Sequence, residues 1–253
     1  METPSTSDMA RMAQASYLMG QKDVGKSQRL EEVRDATDTT NYILNKDYTN
    51  SEMSVFQHMD NPRNVVISMR GTKVDGRRGN KDILDDLAIA TGNAGHEKTF
   101  KRRKQKTNKI IKELQPQALH MTSHSLGGAT QNYTIANSKI LKKYINDGNV
   151  FSAKSFNAGH HPVYGNDMSV GVKYGKTLKP LVEHHRVSGD VVSVGLRGNN
   201  PFGKVVQKTV KYSPKKHSGL YDKFISGTPL GKVKNFTDKT LHAHQINHFI
   251  DTF

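Results

Sequence analysis

Residues 118–130 read ALHMTSHSLGGAT. The first half alternates apolar and polar side chains, the period of a half-buried strand. The second half passes through Leu126, two glycines and an alanine into a helix-like run. A strand-to-helix turn needs a cap and a permissive backbone, but it has no need of Ser-His-Ser-Leu-Gly-Gly. The pattern predicts that Ser125 is held on a sharp turn with its hydroxyl presented for attack. A tight glycine-rich turn without chemistry is the competing reading, and the rest of the chain decides between them.

Strand and helix patterns alternate on either side of this stretch. NVVISMRGT (64–72) is a short apolar run ending at glycine, the signature of a buried strand. TTNYILNKDYTNSEMSVFQHM before it reads as two short strands with a turn near Asn50, and MARMAQASYLM (9–19) has helical spacing. Met9, Met12, Ala13, Leu18 and Met19 are its candidate buried positions. KTFKRRKQKTNKIIK (98–112) places Phe100, Thr107, Ile111 and Leu114 at helical intervals. A helix is predicted from about Ser125 through Lys143, a strand over NVFSAKSFNAG (149–159), and another over LVEHHRVSGDVVSVG (181–195). A last helix is predicted in KTLHAHQINHFIDTF. Such alternation implies an α/β fold, a mostly parallel central sheet with helices on both faces. One domain is expected over 1–253, with residues 1–10 disordered and 196–240 an irregular basic excursion.

A chain of 253 residues fits one large domain with a sizeable core. No apolar run approaches the roughly 18 residues that a membrane helix needs. The start, METPSTSDMARMAQ, lacks the charged and apolar regions of a secretory signal. With no cysteine, disulfides and thiolate metal sites are excluded. The net charge is +15, which attracts polyanions or anionic headgroups. The charge concentrates in Lys98–Lys112, where eight of fifteen residues are basic, and in Lys204–Lys239. A solvated helix face is the competing reading of the first segment. No helix-turn-helix, RNA-recognition or zinc-finger pattern accompanies the charge.

A serine hydroxyl becomes a nucleophile only when a base takes its proton and donors stabilise the oxyanion. The α/β-hydrolase elbow G-x-S-x-G provides this between strand and helix. The positions two before and two after the serine are small because the elements pack closely there; here they are Ser123 and Gly127. The N–H of Leu126 opens the helix and is one oxyanion donor. Thr72, at the end of SMRGT, is the expected second donor, through its N–H and its hydroxyl. Asp190 in SGDVV puts a carboxylate after a strand, and histidines follow near the C-terminus, giving the chain order Ser…Asp…His.

These segments together resemble the class 3 (fungal-type) lipases. MRGT is similar to that family's F-R-G-[ST], DILDDL to W-x-x-D-[LF], and MTSHSLGGA to V-T-G-H-S-L-G-G-A. FNAGHHPV resembles T-F-G-x-P, and SGDVV resembles N-x-x-D-x-V. The resemblance spans roughly residues 41–250. Ser123 stands where the family has glycine, Met69 where it has an aromatic, and Ile83 where it has tryptophan. The resemblance implies an α/β-hydrolase fold, esterase or lipase activity on carboxylic esters, and no cofactor. It makes Ser125 the nucleophile and Asp190 the acid. The family's terminal H-[SL]-x-x-[YF] favours His244 as base, with His242 and His248 as alternatives and Ile246 and Phe249 packing that helix onto the domain. His217 and the His184–His185 pair remain lesser candidates. His124 is expected to be structural, hydrogen-bonded behind the strand. Without a signal sequence or disulfides, the chain looks closer to intracellular or virus-encoded relatives, so an intracellular or virion-associated location is expected.

The family's lid follows R-G-[ST]. Here KVDGRRGNKD (73–82) is short, polar and Gly-rich. Combined with the charge, it favours an esterase or phospholipase working near anionic headgroups over a triglyceride lipase. The partners expected are a lipid or small ester substrate and an anionic membrane or polyanion at the two basic segments. The alternative is a catalytically silent, cationic binding protein for anionic membranes or nucleic acid. No metal is expected: the His160–His161 and His184–His185 pairs lack H-E-x-x-H or other chelating spacing. Gly171–Thr177 is one residue short of a phosphate-binding loop and follows no clear strand.

Overall fold

The computed structural model describes residues 2–21, 24–71, 97–158, 180–188, 203–209 and 246–250. Helices α1 (Thr6–Leu18) and α2 (Lys26–Ala36) precede β1 (Tyr42–Leu44), β2 (Met53–His58) and β3 (Asn64–Met69). Helix α3 (Glu97–Leu114), β4 (Ala118–His124), α4 (Leu126–Asn137), α5 (Lys139–Asn146) and β5 (Val150–Phe156) follow. Strands β6 (Val182–Val187) and β7 (Lys204–Lys208) and a 3-10 helix (Ile246–Phe249) complete the described elements. The strands form one sheet in chain order: β1, β2 and β3 are antiparallel, and β3 through β7 are parallel. The protein is therefore α/β with a mostly parallel seven-stranded sheet.

The pleat divides the strand side chains between two cores. Ile67, Met121 and Ala153 sit on one face against Ile110 of α3, Ile135 of α4 and Leu141 of α5. Val66, Phe156 and Val187 sit on the other face with Met9 and Met12 of α1 and with Ile246 and Phe249. Strands β3 and β4 are buried along their whole length, as strands covered on both faces must be. The two crossovers through α3 and through α4–α5 step the same way along the sheet, so right-handedness puts their helices on the same face. A polar row runs beneath α1 across the sheet, Ser54–Ser68–Thr122–Lys154–Glu183, each residue beside the next. It ties helix to sheet: Thr122 Oγ1 donates to the Met9 carbonyl at 2.8 Å, and Lys154 Nζ donates to Thr6 Oγ1 at 2.6 Å.

Several boundaries differ from the sequence expectation. Residues 6–10 are helical rather than disordered. Ser5 accepts from the Asp8 N–H at 3.0 Å while the Asp8 carboxylate accepts from the Ser5 N–H at 3.1 Å, a capping box that starts α1 early. The helix expected over 125–143 is two, because Ser138 leaves helical geometry and accepts from the Leu141 N–H at 2.9 Å, capping α5. Within the stretch 196–240, expected to be irregular, Lys204–Lys208 is a strand that extends the parallel sheet beside β6. The polar stretch before residue 40 contains α2. Among the described residues, no helix is long and apolar enough to cross a membrane.

Candidate active site

Ser125 lies at the carboxyl edge of the parallel sheet, between the last residue of β4 and the first of α4. Its backbone has φ 56° and ψ −132°, a sparsely populated combination for a residue with a side chain. Two main-chain bonds hold it there: the Ser125 N–H donates to the Phe156 carbonyl at 3.1 Å, and its carbonyl accepts from the Gly128 N–H at 2.9 Å. A serine at a helix N-cap ordinarily accepts a bond from its own first turn. Ser125 makes no such bond, so the hydroxyl is left for other partners. The residue is partly exposed.

Close packing explains the small residues around it. A Cβ on Gly127 would lie 2.1 Å from the Met69 carbonyl oxygen, and one on Gly128 would lie 2.3 Å from the Ala158 Cβ. Helix α4 thus rests directly on the ends of β3 and β5. At the preceding small position, Ser123 is fully buried, and among the described residues its hydroxyl makes no hydrogen bond.

The end of β3 runs beside the serine. A Cβ on Gly71 would lie 2.9 Å from the Ser125 Cβ and 2.7 Å from the His124 carbonyl oxygen. Tyr17, near the end of α1, fixes this approach: its Oη accepts from the Gly71 N–H at 3.2 Å and shares a bond with His124 Nδ1 at 3.0 Å. The phenol can do both at once, since its oxygen accepts while its proton remains available to donate. His124 is thereby turned behind the strand toward α1. Burial pushes the Tyr17 phenol far above its ordinary range, so it stays protonated. From the other face, buried Arg103 of α3 donates from Nη1 to the Arg70 carbonyl at 2.6 Å. Desolvation pulls the Arg103 guanidinium down to about 10, still charged at neutral pH.

Two strands away, β6 ends at Val187 on the same edge. Asn157, with φ 45°, locks β6 to β5: its N–H donates to the His185 carbonyl at 2.8 Å, and its Oδ1 accepts from the Val187 N–H at 2.9 Å. Asp190 follows three residues after Val187 and, like Thr72, His242, His244 and His217, lies outside the described residues. The side chain of His248 lies outside them too. Its 3-10 helix is seated by Phe249, whose ring centroid is 5.0 Å from that of Phe156, and by Ser7 Oγ donating to the Ile250 carbonyl. Ile246 and Phe249 are buried, as the packing expectation required. The terminal element therefore docks on the residue whose carbonyl holds the Ser125 N–H.

Leu126 starts α4, so its N–H belongs to the first turn, where donors lack intrahelical partners. Its side chain packs with Phe100, Ala129 and Tyr133. The adjacent His184 and His185 face opposite sides of β6: His184 Nδ1 pairs with Ser155 Oγ at 2.7 Å and His185 Nε2 with Glu183 Oε2 at 3.0 Å. One metal ion cannot bind both. The lid-position segment 73–82, His160–His161 and the Gly171–Thr177 stretch lie outside the described residues.

Tyr17, Arg103 and Asn157 escaped the sequence reading. Tyr17 sits between Ser16 and Leu18 in a helix with nothing local to mark it, and Arg103 reads as one more surface cation. Asn157 carries a usable signal, since asparagine visits positive φ more readily than other non-glycine residues. No family model, curated protein or solved structure matches the chain.

Proposed function

We propose that this protein is a serine ester hydrolase of the α/β-hydrolase fold, cleaving carboxylic esters of lipids, phospholipids among them, through an acyl-enzyme. The reading rests above all on the Ser125 turn: a strained, partly exposed serine whose hydroxyl does not cap its own helix. The resemblance of MRGT, MTSHSLGGA and SGDVV to class 3 lipase segments supports it.

In the mechanism, the base takes the Ser125 proton as Oγ attacks the ester carbonyl. His244 is the assigned base, ahead of His242 and His248. The oxyanion is received by the Leu126 N–H and by Thr72, the residue that follows in sequence the Arg70–Gly71 segment held by Arg103 and Tyr17. The protonated imidazole then gives its proton to the leaving alcohol, and water activated by the same histidine releases the acid. Asp190 holds the imidazole tautomer and balances its charge. Strands lie about 4.8 Å apart, so the end of β6 at Val187, three residues before Asp190 in the sequence, stands roughly 10 Å from the strand that carries the serine. That gap suits one imidazole with a hydrogen bond at each nitrogen. The chemistry calls for no cofactor.

Turnover of short-chain p-nitrophenyl esters tests the reading. Wild type should show a burst of nitrophenol and steady turnover. Ser125→Ala should lose both, and Asp190→Asn and His244→Gln should each fall by at least a hundredfold. Folded wild type without turnover would favour the catalytically silent cationic binding protein.

A further inference from the structure

We propose that the outer face of helices α3 and α5 is a docking surface for an anionic lipid bilayer. The inward side of α3 is settled by packing: Phe100, Arg103, Thr107, Ile110 and Ile111 are buried. Its outward side exposes Lys98, Lys101, Lys109 and Lys112, spaced to fall along one stripe. The helix has 18 residues, so the stripe extends over about 27 Å. Beside it α5 exposes Lys139 and Lys143. Among the described residues Glu113 reaches Lys109 at 3.8 Å and Asp147 reaches Lys143 at 2.8 Å, so the described acids on this face are fewer than its lysines.

The other side of the molecule is not built this way. Helix α2 mixes Lys26, Glu31, Arg34 and Asp35 on its exposed side, and Arg34 pairs with both acids. Among the described residues the charge is therefore spread unevenly between these two helices. Like charges one turn apart repel and weaken a helix, so a stripe of them has an energetic cost that a polyanionic partner would offset.

Two observations favour lipid over nucleic acid. Helix α3 lies packed against α4 and α5 instead of projecting, which gives a broad face and no groove-entering ridge. Among the described residues the exposed large apolar side chains are Ile43, Met59 and Val150, so the stripe offers no exposed aromatic ring for base stacking. Phe100 in the first turns of α3 packs with Leu126, the residue after Ser125. The start of α3, and with it the first lysines of the stripe, therefore lies near the candidate site, and docking would bring that end of the molecule toward the headgroups. The choice of a lipid partner rests on the ester-hydrolase reading; the cationic face does not.

The test is co-sedimentation of the full chain with sucrose-loaded vesicles, phosphatidylcholine alone or with 30 mol% phosphatidylglycerol, at about 0.1 M salt. Each lysine near such a surface strengthens binding about fivefold. The set Lys98→Gln, Lys101→Gln, Lys109→Gln, Lys112→Gln should weaken partitioning onto anionic vesicles at least a hundredfold. The control set Lys26→Gln, Lys46→Gln, on the other side, should bind within twofold of wild type. Circular dichroism melts of both sets verify folding, and single substitutions, each expected to weaken binding several-fold, serve if the set of four fails to fold. Three results would overturn the proposal: equal binding to neutral and anionic vesicles, unchanged binding by the α3 substitutions, or duplex DNA bound tenfold more tightly than vesicles at equal phosphate concentration. Wild-type turnover of a soluble ester is measured separately, so failure of the hydrolase reading is distinguished from failure of docking.

Discussion

Replacing Ser125 by glycine should stabilise the fold while destroying the proposed nucleophile. The residue holds φ 56° and ψ −132°, and a non-glycine residue in such a region costs about 1–3 kcal/mol. Glycine relieves that strain but gives the unfolded chain extra freedom worth about 0.5–1 kcal/mol. The net gain is about 0–2.5 kcal/mol. In a domain of this size each kcal/mol moves the melting temperature by about 2–4 °C, so Ser125→Gly should melt up to about 10 °C above wild type. An ordinary N-cap serine behaves oppositely, because its side-chain bond is lost and glycine falls a few tenths of a kcal/mol below it. Ser125→Ala keeps the strain and should melt at or below wild type. Thermal melts by circular dichroism at neutral pH compare the three proteins. A Ser125→Gly protein that melts below wild type would refute the claim that the turn is strained for the sake of its hydroxyl.

Other perturbations probe the packing around that turn. Gly127→Ala drives a methyl to 2.1 Å from the Met69 carbonyl oxygen and should cost at least about 1 kcal/mol in urea unfolding, despite alanine's better helix propensity; a stabilised variant would contradict the contact. Tyr17→Phe strands the Gly71 N–H and removes the His124 bond. It should cost about 1–3 kcal/mol and lower kcat on a soluble ester with little change in KM; an unchanged kcat would remove Tyr17 from the positioning of the loop. His120 is buried beneath α1, and burial, followed by the Lys154 charge, depresses it to about 4. Its folded state binds fewer protons than the unfolded state between about pH 4 and its ordinary 6.5. Its stabilising effect is therefore complete above 6.5 and lost as pH falls toward 4, by up to about 1.4 kcal/mol per pH unit. Urea midpoints at pH 6.5 and 4.5 should differ less in His120→Gln than in wild type, and equal differences would show that His120 does not carry this dependence.

The sheet's middle was readable because its chemistry is local. The alternation in 118–123, the small residues 127–129 and the apolar run of β3 each announce one element, although β4 is buried on both faces where its alternation predicted one. Phe100, Thr107 and Ile111 mark the inward side of α3 correctly because three aligned positions suffice to fix a helical phase. Elements whose burial is thin were missed. Helix α2 buries Val33 alone, so no apolar stripe marks it, and β7 carries lysines at both ends of a short VVQ core. Arg103 defeated the charge rule because its bond to the Arg70 carbonyl is a tertiary contact across 33 positions of sequence. The sharp turn at Ser125 was visible in the sequence, whereas Tyr17 and Asn157, which fix the flanking segments, act through pairings that no local pattern encodes.

The central claim is that Ser125 is an activated nucleophile. Intact-mass spectrometry after treatment with a fluorophosphonate reads this directly, on wild type and on Ser125→Ala. The account predicts a single adduct on wild type and none on the variant. A folded wild type that takes up no probe, or an adduct that persists in Ser125→Ala, would contradict it.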